Sequence, residues 1–250
     1  MNVHYRFDGA RDAPVLVLSS SLGTTLELWD ANVVTLASRH RVLRYDHRGH
    51  GRSPAPPGPY TVDELADDVL ELLDEHGLDR VAFCGISLGG AVGMALARRA
   101  PERLERLALC CTAARFGEPE MWEERARTVR ADGPEAIVDA VLARWFTPAF
   151  HERRPDVIAR FRATFVATPR EGYAACCDAL AGWDFRDELA SLRVPTLAVA
   201  AEHDPSTPPA LLVEIAEGIP GATLVVLPDA AHLVNVEQAE AFTATILEAG

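Results

Sequence analysis

Short apolar runs alternate with longer amphipathic segments along this chain. Val15–Ser19 (VLVLS), Arg41–Asp46, Val81–Gly85, Leu104–Cys111, Thr196–Ala200 and Ala222–Leu227 carry hydrophobic residues at both odd and even positions. Runs of this length and two-sided character predict strands buried in a parallel sheet. His4–Phe7 predicts a less buried, antiparallel edge strand. Helical spacing fills the gaps. In Thr61–His76, residues Val62, Leu65, Val69, Leu72 and Leu73 recur at helical intervals with acids between them. Thr61 and Glu64 have capping-box spacing, and Gly77 follows the end. Leu88–Arg99, stopped by Pro101, and Val236–Glu248 are further helices. Alternating strands and helices predict an α/β fold with a mostly parallel, doubly wound sheet.

The alternation stops between about residues 116 and 187. That stretch holds helical patterns at Pro119–Ala131, Pro134–Trp145, Pro155–Val166 and Glu171–Leu180, and no convincing strand. A helical insertion of this kind predicts a cap over one end of the sheet, where it excludes water and shapes a pocket. No repeat, low-complexity tract or linker divides the chain. The expectation is a single domain over 1–250, with its core at about 1–115 and 188–250 and its cap at about 116–187.

Composition narrows the partners. The chain has 250 residues, 48% of them hydrophobic, enough for one sizeable core. Its formal net charge of −13 repels phosphate backbones, so no nucleic-acid partner is expected. The same charge means that an anionic substrate needs a local cation. Cys84, Cys110, Cys111, Cys176 and Cys177 form no CxxC pair and show no zinc-ligand spacing with histidine. They read as small buried hydrophobes in a reducing compartment, with no metal and no cofactor implied. MNVHYRFDG is no signal peptide, and no apolar run is long enough to span a membrane. The expectation is a cytoplasmic protein acting on a small molecule, with no membrane partner. Oligomeric state is left open by the sequence.

Gly85-Ile86-Ser87-Leu88-Gly89 matches G-x-S-x-G between a predicted strand and a predicted helix. A nucleophilic serine on such a strained turn needs neighbours without side chains, and the helix start beneath it favours developing negative charge. The plain alternative is an ordinary tight turn with a solvated serine. The chain order for this arrangement is Ser, acid, His. TLAVAAEHDPSTPP supplies Glu202 and Asp204, and Asp204 is preferred because it lies in the loop beyond the strand. ATLVVLPDAAH ends in His232, the candidate base; His203 sits beside the acid, and His47 and His50 fit the order poorly. The backbone N–H groups of Leu88 and Leu22 are the candidate oxyanion hole, Leu22 from the small-residue loop Ser20–Thr25.

Several segments then resemble a known family. Asp46-His47-Arg48-Gly49-His50-Gly51-Arg52-Ser53 resembles the DxRGxGxS loop of the α/β-hydrolase superfamily. The Ser20–Thr24 loop (SSLGT) with Trp29, the stretch Cys84–Gly90, Arg144-Trp145-Phe146-Thr147-Pro148, the stretch Tyr173–Cys177, and His203–Pro209 are similar to the 3-oxoadipate enol-lactonases. The resemblance spans nearly the whole chain, cap included. It implies an α/β-hydrolase fold and a serine-dependent lactonase. Such enzymes open the enol-lactone formed in aromatic-acid breakdown, the beta-ketoadipate pathway, to 3-oxoadipate. In some relatives the lactonase is fused to a decarboxylase; the resemblance here covers the lactonase step.

The resemblance implies attack by Ser87 on the lactone carbonyl, with His232 as base and Asp204 orienting it. Direct attack by a water on the same base is the alternative. Arg144 is the candidate anchor for the substrate carboxylate, against an ordinary solvated role, and Trp122, Trp145 and Trp29 are candidate pocket walls, against ordinary packing. Rival readings are a carboxylesterase, a carbon–carbon hydrolase or a perhydrolase on the same triad, and a non-catalytic small-molecule receptor on the same fold.

Overall fold

The computed structural model describes residues 2–248. Seven strands form one sheet: β1 (Tyr5–Asp8), β2 (Val15–Ser19), β3 (Arg41–Tyr45), β4 (Val81–Ile86), β5 (Leu104–Cys110), β6 (Thr196–Ala201) and β7 (Thr223–Leu227). Their order across the sheet is β1-β3-β2-β4-β5-β6-β7. Only β1 runs antiparallel, pairing Tyr5 with Tyr45. The apolar runs therefore become strands, with ends shifted by at most one or two residues. The architecture is an α/β-hydrolase fold, flanked by helices α1 (Asp30–Leu36), α2 (Val62–Glu75) and α3 (Leu88–Arg99) and, towards the end of the chain, α9 (Pro209–Gly218), α10 (Val234–Glu237) and α11 (Ala239–Glu248). Between β5 and β6 lie only helices: α4 (Pro119–Asp132), α5 (Val138–Trp145), α6 (Pro148–Arg153), α7 (Pro155–Val166) and α8 (Arg170–Ala181).

Strand order places the site. From β2 the chain crosses to β3 on one side, and from β4 to β5 on the other, while β2 and β4 are hydrogen-bonded neighbours. The loops leaving β2 and β4 therefore part at a topological switch point, the place where parallel sheets open a crevice for ligands. β4 is buried at all six positions, and its two-sided apolar sequence fits that central place.

Three expectations are corrected. Ala222–Leu227 was expected to be a buried strand. It yields β7, an edge strand with β6 as its single neighbour, and Val226 is 46% exposed. Pro134–Trp145 is not one helix: Pro134–Ala136 forms a tighter 3-10 turn, and α5 starts at Val138. Val236–Glu248 is broken at Gln238, whose φ of −121° and ψ of 50° lie outside the helical region. The cause is tertiary. Asn235 Nδ2 donates to the Leu28 carbonyl (3.1 Å), and the Glu237 carboxylate accepts from the Ala231 N–H (3.0 Å), so both side chains turn inward at the expense of helix continuity. No helix of the described residues is long and apolar enough to cross a membrane.

The capping box of α2 is formed as the spacing requires. Thr61 Oγ1 accepts from the Glu64 N–H (3.2 Å), and Glu64 Oε2 accepts from the Thr61 N–H (2.8 Å). Thr61→Ala removes one half of the box and should lower the unfolding free energy by about 1 kcal/mol in urea titrations, without changing the slope of the transition.

Candidate active site

Ser87 sits alone between β4 and α3, with φ 58° and ψ −117°. A non-glycine residue with positive φ is strained, and here the neighbours hold it there. Its N–H donates to the Cys110 carbonyl (2.9 Å), and its carbonyl accepts from Thr112 Oγ1 (2.7 Å). There is no space beside it: a Cβ on Gly85 would lie 2.1 Å from the Gly89 carbonyl oxygen, and one on Gly89 would lie 2.2 Å from that of Ser19. The glycines of the motif are thus required by contact.

The β2 loop lies directly against this turn. The Ser20 carbonyl accepts from the Gly89 N–H (3.1 Å) and from His47 Nε2 (2.9 Å). The Gly23 N–H donates to His50 Nε2 (2.9 Å). These partners fix the tautomers: His47 carries its proton on Nε2, and His50 carries its proton on Nδ1, facing the Arg48 carbonyl at 3.3 Å. Burial pushes the His47 pKa down to about 4, and burial together with the His47 charge pushes His50 down to about 3. Both rings are neutral struts under the loop. The Leu22 and Leu88 N–H groups are left without a hydrogen-bond partner among the described residues, and Leu22 lines the cavity with Ser87.

Asp204 follows β6 and His232 follows β7; each is 3% exposed. His232 Nδ1 lies 2.8 Å from Asp204 Oδ2. The carboxylate is otherwise saturated by donors from its own loop: Thr207 Oγ1 (2.7 Å), and the N–H groups of Ser206 (2.7 Å) and Thr207 (3.0 Å). Burial raises the Asp204 pKa, but the His232 charge and the hydrogen bonds from His232 and Thr207 outweigh it, and the net shift is downward. Thr207, which also lies 3.3 Å from His232 Nδ1, was not identified from sequence; its only signal was its place in the Asx turn that Asp204 forms with the N–H groups of Ser206 and Thr207.

Ser87 and His232 line one cavity of about 690 Å³. No hydrogen bond joins the Ser87 hydroxyl to the His232 imidazole. Trp122, Trp145 and Arg144 line the same cavity from the insertion. Trp29 does not. It is fully buried, packs on Phe242 at 6.1 Å and donates from Nε1 to Ser20 Oγ (3.0 Å), so it braces the loop from behind. The DxRGxGxS segment is likewise a brace: Asp46 accepts from the Leu26 and Arg52 N–H groups (2.7 and 2.9 Å).

The cavity wall carries Arg115, Arg125, Arg144 and Arg186, and Glu214 as its one acid among the described residues. Arg115 pairs with Glu118 (2.7 Å) and Arg186 with Asp184 (2.6 Å). Arg125 and Arg144 have no carboxylate partner among the described residues; Arg125 instead sits 5.1 Å over the Trp122 ring. Tyr173 is buried on the same wall, burial pushes its phenol pKa up, and its hydroxyl has no partner among the described residues. Arg125 and Tyr173 were missed. The signal for Arg125 was its three-residue spacing from Trp122, which puts both on one helix face. Glu202 and His203 are exposed and outside the cavity, and with Asp229 they bring potential metal-ligand atoms within 4.8 Å of one another at the surface.

A family model described as alpha/beta hydrolase fold matches residues 14–239. The chain is 40% identical to 3-oxoadipate enol-lactonase 2 of Acinetobacter baylyi, covering 96% of this chain and 90% of that one. It is 33% identical to RutD of Azorhizobium caulinodans, a proposed carbamate hydrolase, over 98% of this chain and 94% of that one. The crystal structure of the enol-lactonase from Burkholderia xenovorans LB400 superposes with a TM-score of 0.97 at 49% identity, covering 99% of this chain and 95% of that one.

The depressed Asp204 pKa has a sign. Its contribution to stability is present above the ordinary carboxylate value near 3.9 and is lost as pH falls through its lower folded value. Denaturant titrations across acid pH should therefore show the stability gap between wild type and Asp204→Asn narrowing as pH falls below about 4. A constant gap would place the shift elsewhere.

Proposed function

We propose that this chain, which belongs to the alpha/beta hydrolase fold family, opens 3-oxoadipate enol-lactone to 3-oxoadipate with Ser87 as nucleophile. The supporting observation is a buried His232–Asp204 pair and a strained Ser87 converging on one arginine-lined cavity. The likeness to two enol-lactonases supports the same substrate.

In this reading His232 Nε2 takes the Ser87 proton as the hydroxyl attacks the lactone carbonyl. Asp204 holds the imidazole tautomer and stabilises its cation. The Leu22 and Leu88 N–H groups receive the oxyanion, a term worth about 3 kcal/mol per donor. Collapse breaks the ring C–O bond. The enolate leaves but stays tethered to the acyl chain, takes the proton from His232, and becomes a ketone. Water, deprotonated by His232, then attacks the ester carbonyl; collapse breaks the bond to Ser87 Oγ, His232 returns the proton to that oxygen, and the second carboxylate is released.

The free carboxylate of the lactone lies remote from the scissile carbonyl and needs a cation in a chain of net charge −13. Arg144 and Arg125 are the unpaired cations of the cavity, and the Tyr173 hydroxyl adds a neutral donor between the same walls. Trp145 and Trp122 supply apolar surface for the ring. Helices α4–α8 act as a cap that keeps bulk water from the acyl-enzyme. The site needs no metal and no cofactor, and the protein works in the cytoplasm.

Loss of enol-lactone absorbance, run beside p-nitrophenyl acetate and a carbamate, tests the substrate. Fast lactone turnover is expected; ester or carbamate turnover without lactone turnover would move the assignment to another hydrolase activity. No turnover of any of them would favour a receptor. Ser87→Ala should cut kcat by on the order of 10³-fold or more. Arg144→Ala and Arg125→Ala should each raise KM for the lactone about tenfold or more, the loss of a charge-assisted hydrogen bond, and leave acetate-ester turnover nearly unchanged.

A further inference from the structure

We infer that Glu237 is a positioning residue whose buried carboxylate ties the cap segment carrying Arg144 and Trp145 to the loop carrying His232. The inference rests on the reading of His232 as the base. Glu237 lies outside the Ser–His–Asp set and outside the substrate cavity, and it is 7% exposed. Its carboxylate accepts from the Ala231 N–H (3.0 Å), from the Thr147 N–H (3.3 Å to each oxygen) and from the Thr147 hydroxyl. All of these donors are neutral. Ala231 immediately precedes His232. On the other side, the Leu233 N–H donates to the Trp145 carbonyl (3.0 Å). The backbone on both sides of His232 is thus bonded to one segment of the cap, directly at Leu233 and through Glu237 at Ala231.

This gives a role to the rest of the Arg144–Pro148 segment. Arg144 and Trp145 face the cavity, Thr147 holds Glu237, and Thr147 also caps α6 by accepting from the Phe150 N–H (3.3 Å). A carboxylate suits the junction because it accepts on both oxygens and donates on neither. An amide of the same shape would set its NH₂ against a backbone N–H, leaving buried donors unsatisfied. The base is therefore indexed to the wall that grips the substrate, where a misplacement of about 1 Å is worth on the order of 10²-fold in rate.

The test uses the full-length chain with Glu237→Gln, Thr147→Val and Thr147→Ser. Two readouts are taken: kcat and KM on lactone and acetate ester, and the low-field proton resonance of His232 Nδ1–H in its bond to Asp204. Glu237→Gln should lower kcat about tenfold or more with KM within about threefold, and should shift or broaden the resonance. Thr147→Val should act in the same direction, and Thr147→Ser should recover most of the loss because its hydroxyl remains. If Glu237→Gln and Thr147→Val lower the melting temperature but leave kcat and the resonance at wild-type values, the tie is only structural and the inference fails. If Glu237→Gln does not fold, Thr147→Val decides by the same criteria. The resonance is read without turnover, so its outcome is separate from that of Ser87→Ala.

Discussion

The turn between β4 and α3 is built under a contact constraint, and the site is arranged around it. Gly85 and Gly89 touch backbone where any side chain would collide, and Gly89 does so against the end of β2. That contact fuses two loops that strand order has already placed side by side. Ser87 is then held at a dihedral pair it would not choose, and the strain is offset by hydrogen bonds to Cys110 and Thr112 at the end of β5 and beyond. Three neighbouring strands thus fix one hydroxyl. Asp204 and His232 come from the next two strand ends, so all three side chains occupy one edge of the sheet.

Much of this was legible in the sequence because the signals are local. Parallel strands buried on both faces leave continuous apolar runs, and β2 to β6 were found within a residue or two of their ends. The G-x-S-x-G spacing reports a backbone contact directly. What was not legible depends on partners far along the chain. Whether a strand is central or at the edge is a property of its neighbours, so β7 was misjudged as buried. The helix break at Gln238 follows from inward bonds of Asn235 and Glu237, which no periodicity records. Helices α1 and α6 have seven and six residues, and apolar spacing that brief does not separate a helix from a loop. Trp29 was assigned to the pocket because tryptophan suits both a wall and a core, and only its bond to Ser20 Oγ decides between them. Beyond its spacing from Trp122, nothing in the sequence sets Arg125 apart from the other arginines of its helix; its lack of an acid partner among the described residues becomes visible only in three dimensions.

Charge is distributed unevenly, and the unevenness matters more than the total. A chain of net charge −13 surrounds a cavity whose wall holds four arginines and one glutamate. Arg115 and Arg186 are neutralised by neighbouring acids, whereas Arg125 and Arg144 are not. The negative exterior works against an anion at long range, while the two unpaired guanidinium groups favour it once it is inside. Low dielectric in the partly enclosed cavity strengthens the second effect relative to the first.

His47 and His50 carry a consequence of their own. Both imidazoles are enclosed, both are neutral down to mildly acid solution, and each has its single proton committed by a fixed neighbour. Neither ring changes its charge or its tautomer anywhere between weak acid and strong base. The supports beneath the β2 loop accordingly stay the same across that whole range.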